Sequence, residues 1–183
     1  MPIQPALIVV SGMPGAGKTT LAHRLAAAVG CPAICRDEIK EGMVHNAPDF
    51  NPGQDDAPSR AANATFFTVL ETLLGAGVTT VAEAAFQDRL WRPGLEPLLP
   101  LARIRVVDCV VNPELALERS LRRRAADPLR RAHSDPTPAE AGAYLDRLRA
   151  FHRIALPVPL IEADTTDGYR PDLGDLVAFA TRP

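Results

Sequence analysis

The chain has 183 residues, of which 46% are apolar, and it carries a formal net charge of −2 and three cysteines. This length predicts a single domain spanning residues 1–183. The charge balance gives no general attraction to nucleic acid. No apolar stretch approaches the length of a membrane span, and the N-terminus lacks the pattern of a signal peptide. We therefore expect a cytoplasmic protein without membrane contacts, whose cysteines are free thiols.

Strands and helices alternate along the chain, which is the pattern of a parallel sheet covered by helices on both faces. Five short apolar runs are predicted as strands: Ala6–Val10, Ala33–Cys35, Val78–Ala82, Ile104–Val111 and Val158–Ile161. Seven segments are predicted as helices: Lys18–Val29, Arg36–His45, Ala61–Leu74, Asp88–Trp91, Asn112–Asp127, Pro138–Ala155 and Pro171–Ala180. The segment Asn46–Ser59, between the second and third of these helices, has no regular pattern. It is either a disordered loop or a flap that covers a substrate.

The first strand leads into a stretch that matches the phosphate-binding pattern G-x-x-x-x-G-K-[ST]: Gly12, Met13, Pro14, Gly15, Ala16, Gly17, Lys18 and Thr19. Its three glycines allow consecutive backbone N–H groups to approach a phosphate chain at a helix N-terminus. Lys18 would add a charge between the β- and γ-phosphates, Thr19 a hydroxyl for Mg²⁺, and Thr20 a second hydroxyl near the α-phosphate. A chance glycine-rich turn is the alternative, but strand, loop and helix follow in the order that nucleotide binding requires.

Arginines are concentrated in one part of the chain. The stretch from residue 119 to residue 131 contains six arginines and only one acidic residue, Asp127. The arginines are Arg119, Arg122, Arg123, Arg124, Arg130 and Arg131. Such a run is either a solvated helix face or a lid that binds phosphate, and we favour a lid at approximately 119–136. Arg119 and Arg123 are four residues apart on one helical face and Arg130 lies in the following loop, so these three are the candidate lid arginines.

Other classes of phosphate-loop protein contain sequence motifs that this chain lacks. There is no D-x-x-G, no N-K-x-D and no LSGGQ-like stretch. These absences exclude GTPases and argue against transporter ATPases, and they leave a small phosphotransferase.

Asp37 follows the second predicted strand, where it would face the γ-phosphate from the acceptor side. A carboxylate in that position can accept the proton of an attacking hydroxyl group. The structural alternative is an N-cap for the next helix, and one residue could serve in both roles.

On these features the chain resembles the small P-loop kinases, which include the 5′-kinase domain of polynucleotide kinase, chloramphenicol phosphotransferase and predicted AAA-type small-molecule kinases. The resemblance spans nearly the whole chain and rests on Gly12–Thr20, Arg36–Glu38, Val81–Glu83 and the arginine-rich helix. It implies an α/β, three-layer P-loop NTPase fold, with a five-stranded parallel sheet in the order 2-3-1-4-5 and a short helical lid. It also implies that Asp37 is the general base and that the lid arginines bind the triphosphate.

The same resemblance implies places for further residues. Glu83 stands where the family commonly has aspartate, and it could bind Mg²⁺ through water, accept a substrate hydroxyl or cap the following loop. Thr165 and Thr166 follow the last strand, where related kinases contact the adenine ring. Arg36 could contact the acceptor or pair with Glu38, and Lys40 belongs to the expected acceptor pocket. His133 and His152 are expected at the surface.

The sequence thus predicts a kinase that uses ATP and Mg²⁺ to phosphorylate a hydroxyl group of a small molecule such as a natural product, a nucleoside or a sugar. Two alternatives stay open: a polynucleotide 5′-hydroxyl kinase, against which the acidic pI argues, and a regulatory module that hydrolyses nucleotide slowly. The acceptor, the choice of ATP over GTP and the oligomeric state are left open by the sequence.

Overall fold

The computed structural model describes residues 4–45, 47, 49–52, 56–126, 130 and 132–182. Its five strands are β1 (Ala6–Gly12), β2 (Ala33–Cys35), β3 (Thr80–Glu83), β4 (Arg103–Val110) and β5 (Leu160–Asp164). They form one parallel sheet in the order β2-β3-β1-β4-β5, which confirms the predicted order. Its helices are α1 (Lys18–Val29), α2 (Arg36–Val44), α3 (Ala57–Gly75), α4 (Asp88–Leu95), α5 (Pro113–Ala126), α6 (Ala141–Arg149) and α7 (Leu173–Thr181).

Strand β1 lies in the middle of the sheet, and all seven of its residues are buried. Alternate side chains of a strand point to opposite faces, so a strand covered on both sides is apolar throughout. Ile8 and Val10 pack with α1, α5, α6 and α7 on one face, whereas Leu7 and Val9 pack with α3 and α4 on the other. The molecule therefore has the three layers expected of this fold class.

The face that carries α3 and α4 contains a cluster of aromatic rings. Trp91 lies edge-on to Phe86 with ring centroids 4.9 Å apart, and it also contacts Phe66 and Phe67 at 6.0 and 5.9 Å. This cluster joins the two helices to the segment that follows β3.

Several element boundaries differ from the predicted ones because tertiary contacts decide them. Helix α3 begins at Ala57, four residues earlier than predicted, since the side chain of Asp56 caps it by accepting from the Ser59 N–H at 2.7 Å. Helix α4 was expected to break at Pro93 and Gly94 but continues to Leu95. The ring of Phe67 packs so closely on Gly94 that no side chain would fit there.

Helix α6 ends at Arg149, six residues before the predicted Ala155. The chain leaves the helix to form an antiparallel bridge between Arg153 and Gln87, beside the start of α4. At the other end, a one-turn 3₁₀ helix (Pro138–Glu140) precedes α6, and Thr137 and Glu140 form a capping box at its start.

Parts of three predictions lie outside the described residues: the flap at 46–59, the helix end at Asp127, and Arg131 of the arginine run. The three cysteines are free thiols, as expected. Among the described helices, none is both long enough and apolar enough to cross a bilayer.

Candidate active site

The predicted site residues meet at one edge of the sheet, where the carboxyl ends of the parallel strands lie side by side. The phosphate loop joins β1 to α1, Asp37 follows β2, Glu83 ends β3, and Thr165 follows β5. In open α/β sheets, ligands bind in the crevice beyond these strand ends. Helix α5 then brings its arginines to the same edge.

The phosphate loop is shaped by glycines that no other residue could replace. Gly12 has a φ of +137° and lies against the carbonyl of Cys109, while Gly15 has a φ of +83° and lies against the carbonyl of Ala116. A Cβ at either position would collide with backbone. The hydroxyl of Thr165 donates to the carbonyl of Ala16 at 2.8 Å and so ties the loop to the end of β5.

Lys18, Thr19 and Glu83 form the centre of the site. The Thr19 hydroxyl donates to Oε2 of Glu83 at 3.1 Å, and the Lys18 ammonium lies 3.9 Å from Oε1 of the same carboxylate. Lys18 also donates to the carbonyl of Met13 at 3.0 Å. Burial raises the pKa of Glu83, and the nearby Lys18 charge offsets that effect only in part.

These residues fit a magnesium ion. A hydroxyl and a carboxylate are the hard oxygen ligands that Mg²⁺ prefers, and here they already converge. Lys18 stands beside them as the point charge for the phosphates. The assignment of Thr19 and Glu83 to Mg²⁺ and of Lys18 to the phosphates stays a prediction, and the side chains present are of the type that this prediction requires.

Asp37 is the second residue of α2, whose N-cap is Cys35, so the interpretation of Asp37 as an N-cap is wrong. Its side chain is 46% exposed and pairs with Arg36 at 3.1 Å. Desolvation raises the pKa of Asp37, but positive neighbours outweigh it and hold the pKa below its ordinary value: His133, Arg36, Arg130 and Lys18. Asp37 is therefore an ionised hydrogen-bond acceptor at neutral pH, directed at a positively charged site.

Arg36 does not pair with Glu38, which contacts His23 instead. Besides Asp37, it binds Asn63 at 2.7 Å and the Ser59 carbonyl at 3.0 Å, both on α3. Its guanidinium thus joins the start of α2 to α3 and presents the Asp37 carboxylate.

Arg130 lies in the connection between α5 and α6, and it is nearly buried, with 10% of its side chain exposed. It makes a bidentate pair with Asp135, at 2.7 and 2.9 Å, and approaches Glu41 of α2 at 3.4 Å. Two carboxylates therefore hold this candidate lid arginine close to Asp37.

Arg123 differs from Arg130 in having a hydrogen-bond donor that no other group in the described part of the protein uses. Its Nε is buried without a hydrogen-bond partner, and its nearest acid, Asp135, lies 4.0 Å away. A buried donor without a partner costs free energy that a phosphate oxygen would recover. This geometry favours the predicted phosphate-binding role of Arg123.

Arg119 and the two threonines after β5 were predicted separately, and the fold brings them together. Arg119 donates from Nη2 to the carbonyls of Thr165 and Thr166 at 2.9 and 3.0 Å. Because the Thr165 hydroxyl donates to the phosphate loop, the prediction of a direct adenine contact now rests on Thr166, whereas Arg119 was predicted to bind the triphosphate.

Lys40 does not face an acceptor pocket in this structure. It is 2% exposed, its ammonium pairs with Asp56 at 2.8 Å, and it lies over the ring of Phe50. The pair fastens α2 to the start of α3, so the predicted substrate contact of Lys40 is replaced by a structural one.

Three titratable residues lie at the site although the sequence did not predict them there: His133, Asp135 and Glu41. His133 was expected at the surface, together with the exposed His152, but it is 9% exposed and contacts Glu41 at 2.8 Å. Asp135 holds Arg130. Glu41 had one available signal, since it lies four residues after Asp37 and shares its helical face.

Asp108 is a further residue near the site for which the sequence predicted no role. It lies on β4 opposite Ser11, is 3% exposed, and its Oδ1 has no hydrogen-bond partner. Burial raises the pKa of Asp108, and Arg153 at 3.6 Å counters that effect only partly. A cleft of about 430 Å³ opens here between the start of the phosphate loop, the end of β4 and residues 151–153.

Comparisons with known proteins agree with this geometry. A family model described as an AAA domain, AAA_33, matches residues 7–151, and the chain belongs to this family of P-loop kinases. A candidate kinase from Chloroflexus aurantiacus J-10-fl is 27% identical, with a TM-score of 0.82 over 96% of each chain. Among curated proteins, none matches this sequence significantly.

Two further solved structures share the fold at 19% identity. A sugar kinase from Janibacter sp. HTCC2649 has a TM-score of 0.62 and covers 95% of this chain and 91% of its own. A gluconokinase from Sinorhizobium meliloti 1021 has a TM-score of 0.58 and covers 97% and 90%. The fold of the chain is thus that of P-loop kinases, which implies nucleotide binding.

Proposed function

We propose that this member of the AAA_33 family transfers the γ-phosphoryl group of ATP to a hydroxyl group of a small molecule. The observation that carries the proposal is Asp37: an ionised carboxylate at the sheet edge that holds the phosphate loop, among positive groups that would contact phosphate. A nucleotide switch needs no such acceptor-side base.

The proposed reaction follows from the roles of these side chains. Asp37 accepts the proton of the acceptor hydroxyl while the hydroxyl oxygen bonds to the γ-phosphorus, and the bond from that phosphorus to the β–γ bridging oxygen breaks to release ADP. Lys18, Arg123 and Arg130 would stabilise the charge that develops on the transferring group. A magnesium ion bound by Thr19 and Glu83 would neutralise phosphate oxygens.

The choice of acceptors to screen can be narrowed. The names of two relatives, a sugar kinase and a gluconokinase, make polyhydroxylated metabolites the first candidates. Nucleosides and hydroxylated antibiotics follow. The net charge of −2 argues against a polynucleotide acceptor.

The test is acceptor-dependent formation of ADP from ATP and Mg²⁺ across such a panel, with an oligonucleotide bearing a 5′-hydroxyl included. Asp37→Asn should bind ATP normally and lose roughly 10²- to 10⁴-fold in transfer rate, because an amide cannot take the proton. Its stability should fall somewhat, because the lowered pKa of Asp37 means that the ionised carboxylate stabilises the folded protein, and thermal unfolding shows whether the variant stays folded under the assay conditions.

Two results would reject the proposal. Slow ATP hydrolysis that no acceptor stimulates and that Asp37→Asn leaves unchanged would indicate a regulatory NTPase. Transfer to the oligonucleotide alone would indicate a polynucleotide kinase.

A further inference from the structure

His133 occupies a position between two carboxylates of one helix. Asp37 and Glu41 are four residues apart on α2 and therefore lie on the same face. The Nε2 atom of His133 lies 2.8 Å from Oε1 of Glu41, and its Nδ1 atom lies 3.9 Å from Oδ2 of Asp37. The imidazole, only 9% exposed, thus spans the space between the two acids.

The contact with Glu41 fixes how the ring is used. A carboxylate can only accept hydrogen bonds, so the Nε2–H of His133 donates to Glu41. The other ring nitrogen is then turned toward Asp37. An imidazole held on one side by a carboxylate has a defined orientation on the other side, as in the outer shells of metal and catalytic sites.

The charges around the two residues come from α1, α2, the α5–α6 connection and β3, where Glu83 interacts electrostatically with Asp37. His133 faces Asp37 and Glu41 on α2, with Arg130 and Asp135 beside it in its own segment. Asp37 has Arg36 next to it, and Arg130 and Lys18 within electrostatic range. Among these positive neighbours, His133 lowers the pKa of Asp37 most.

We propose that His133 is a positioning residue for Asp37: held by Glu41, it keeps the Asp37 carboxylate ionised and oriented toward the acceptor hydroxyl. The role in catalysis rests on the proposed kinase function, whereas the electrostatic coupling of His133 to Asp37 does not. Because His133 comes from the α5–α6 connection and Asp37 from α2, the base is complete only while these two parts of the chain are in contact.

The coupling can be measured without nucleotide or acceptor. The carboxyl carbon of Asp37 is followed by ¹³C NMR in protein labelled at aspartate, and its signal is assigned by its loss in Asp37→Asn. In His133→Gln, which keeps a polar side chain but no charge, the carboxyl should titrate at higher pH than in the wild type. His23→Ala is the matched control, since it removes another histidine–glutamate pair from α2, with Glu38. It should leave the Asp37 titration in place.

The catalytic part is tested by the pH dependence of kcat/KM once an acceptor is known. Asp37 must be ionised to accept a proton, so the acid limb should move to higher pH in His133→Gln, with a smaller loss at neutral pH than Asp37→Asn causes. The KM for ATP should stay nearly constant. In a double-mutant cycle, Glu41→Ala and His133→Gln together should cost less activity than the sum of their separate effects, and the remaining cost of Glu41→Ala reflects its contact with Arg130.

A folded His133→Gln protein with an unchanged Asp37 titration would overturn the coupling, whatever the enzyme's activity. A shifted titration with an unshifted acid limb would overturn the catalytic role alone. If the protein phosphorylates no acceptor, the kinase proposal fails while the NMR result still decides the coupling.

Discussion

The hydroxyl of Thr19 and the carboxylate of Glu83 are joined by a 3.1 Å hydrogen bond, although they belong to different elements, α1 and β3. Lys18 approaches the other oxygen of that carboxylate. A cation, a hydroxyl and a carboxylate therefore lie together where α1 begins and β3 ends. Such preorganised groups need not rearrange during the reaction.

Lys18→Ala should abolish phosphoryl transfer and leave the protein folded. The loss of the ammonium removes the charge for the phosphates, and Glu83 can respond by taking up a proton, because burial already raises its pKa. Paired measurements of transfer and thermal unfolding check this. Wild-type turnover in the variant would show that the loop does not hold the triphosphate.

Arg123→Ala should reduce kcat much more than it raises the KM for ATP. In the proposed mechanism the guanidinium would contact the transferring group, where charge develops, and arginines of this type contribute on the order of 10³-fold in rate. Arg122→Ala is the control, because Arg122 is 71% exposed and pairs only weakly with Glu118. If the two variants behave alike in steady-state kinetics, the arginine run is a solvated face.

Lys40→Met should destabilise the protein by about 3–5 kcal/mol, as expected when one partner of a buried ion pair is removed. Asp56→Asn added to Lys40→Met should recover much of this loss, since asparagine keeps the cap of α3 without the unpaired charge. Denaturant unfolding measures both. A stable Lys40→Met protein with a weakened acceptor KM would instead restore the substrate contact predicted for Lys40.

Asp108→Asn should become more stable relative to the wild type as pH rises. Burial raises the pKa of Asp108, so the folded protein retains a proton that the unfolded chain has already released. Wild-type stability attributable to this group therefore falls from about pH 4 upward, through its raised pKa, whereas asparagine has nothing to ionise. Unfolding free energies of both proteins across this range give the comparison, and a constant difference would contradict it.

The alternation of strands and helices in the sequence was sufficient to predict a parallel sheet, and the resemblance to P-loop kinases was sufficient to predict its strand order. In a parallel sheet every strand ends at the same edge, so Asp37 and Glu83 had to meet the phosphate loop there. The loop itself is specified by glycines whose conformations other residues rarely adopt.

The features that could not be predicted from the sequence depend on contacts between residues that are far apart in the chain. His133 and Glu41 are 92 positions apart, and nothing local to either distinguishes a buried pair from two surface residues. Lys40 lost its predicted role to Asp56 for the same reason. Helix α4 continues through Pro93, and the Phe67 ring packs closely on Gly94, a long-range contact that local propensity does not describe.

Trp91 is the sole tryptophan of the chain, and its ring lies against Phe86, three residues beyond Glu83. The carbonyl of Phe86 lies 3.5 Å from the hydroxyl of Ser11, at the start of the phosphate loop. The protein thus carries a single tryptophan fluorophore, which contacts the segment between β3 and α4 close to the phosphate loop. Its emission offers a label-free optical signal for titrating nucleotides and acceptors.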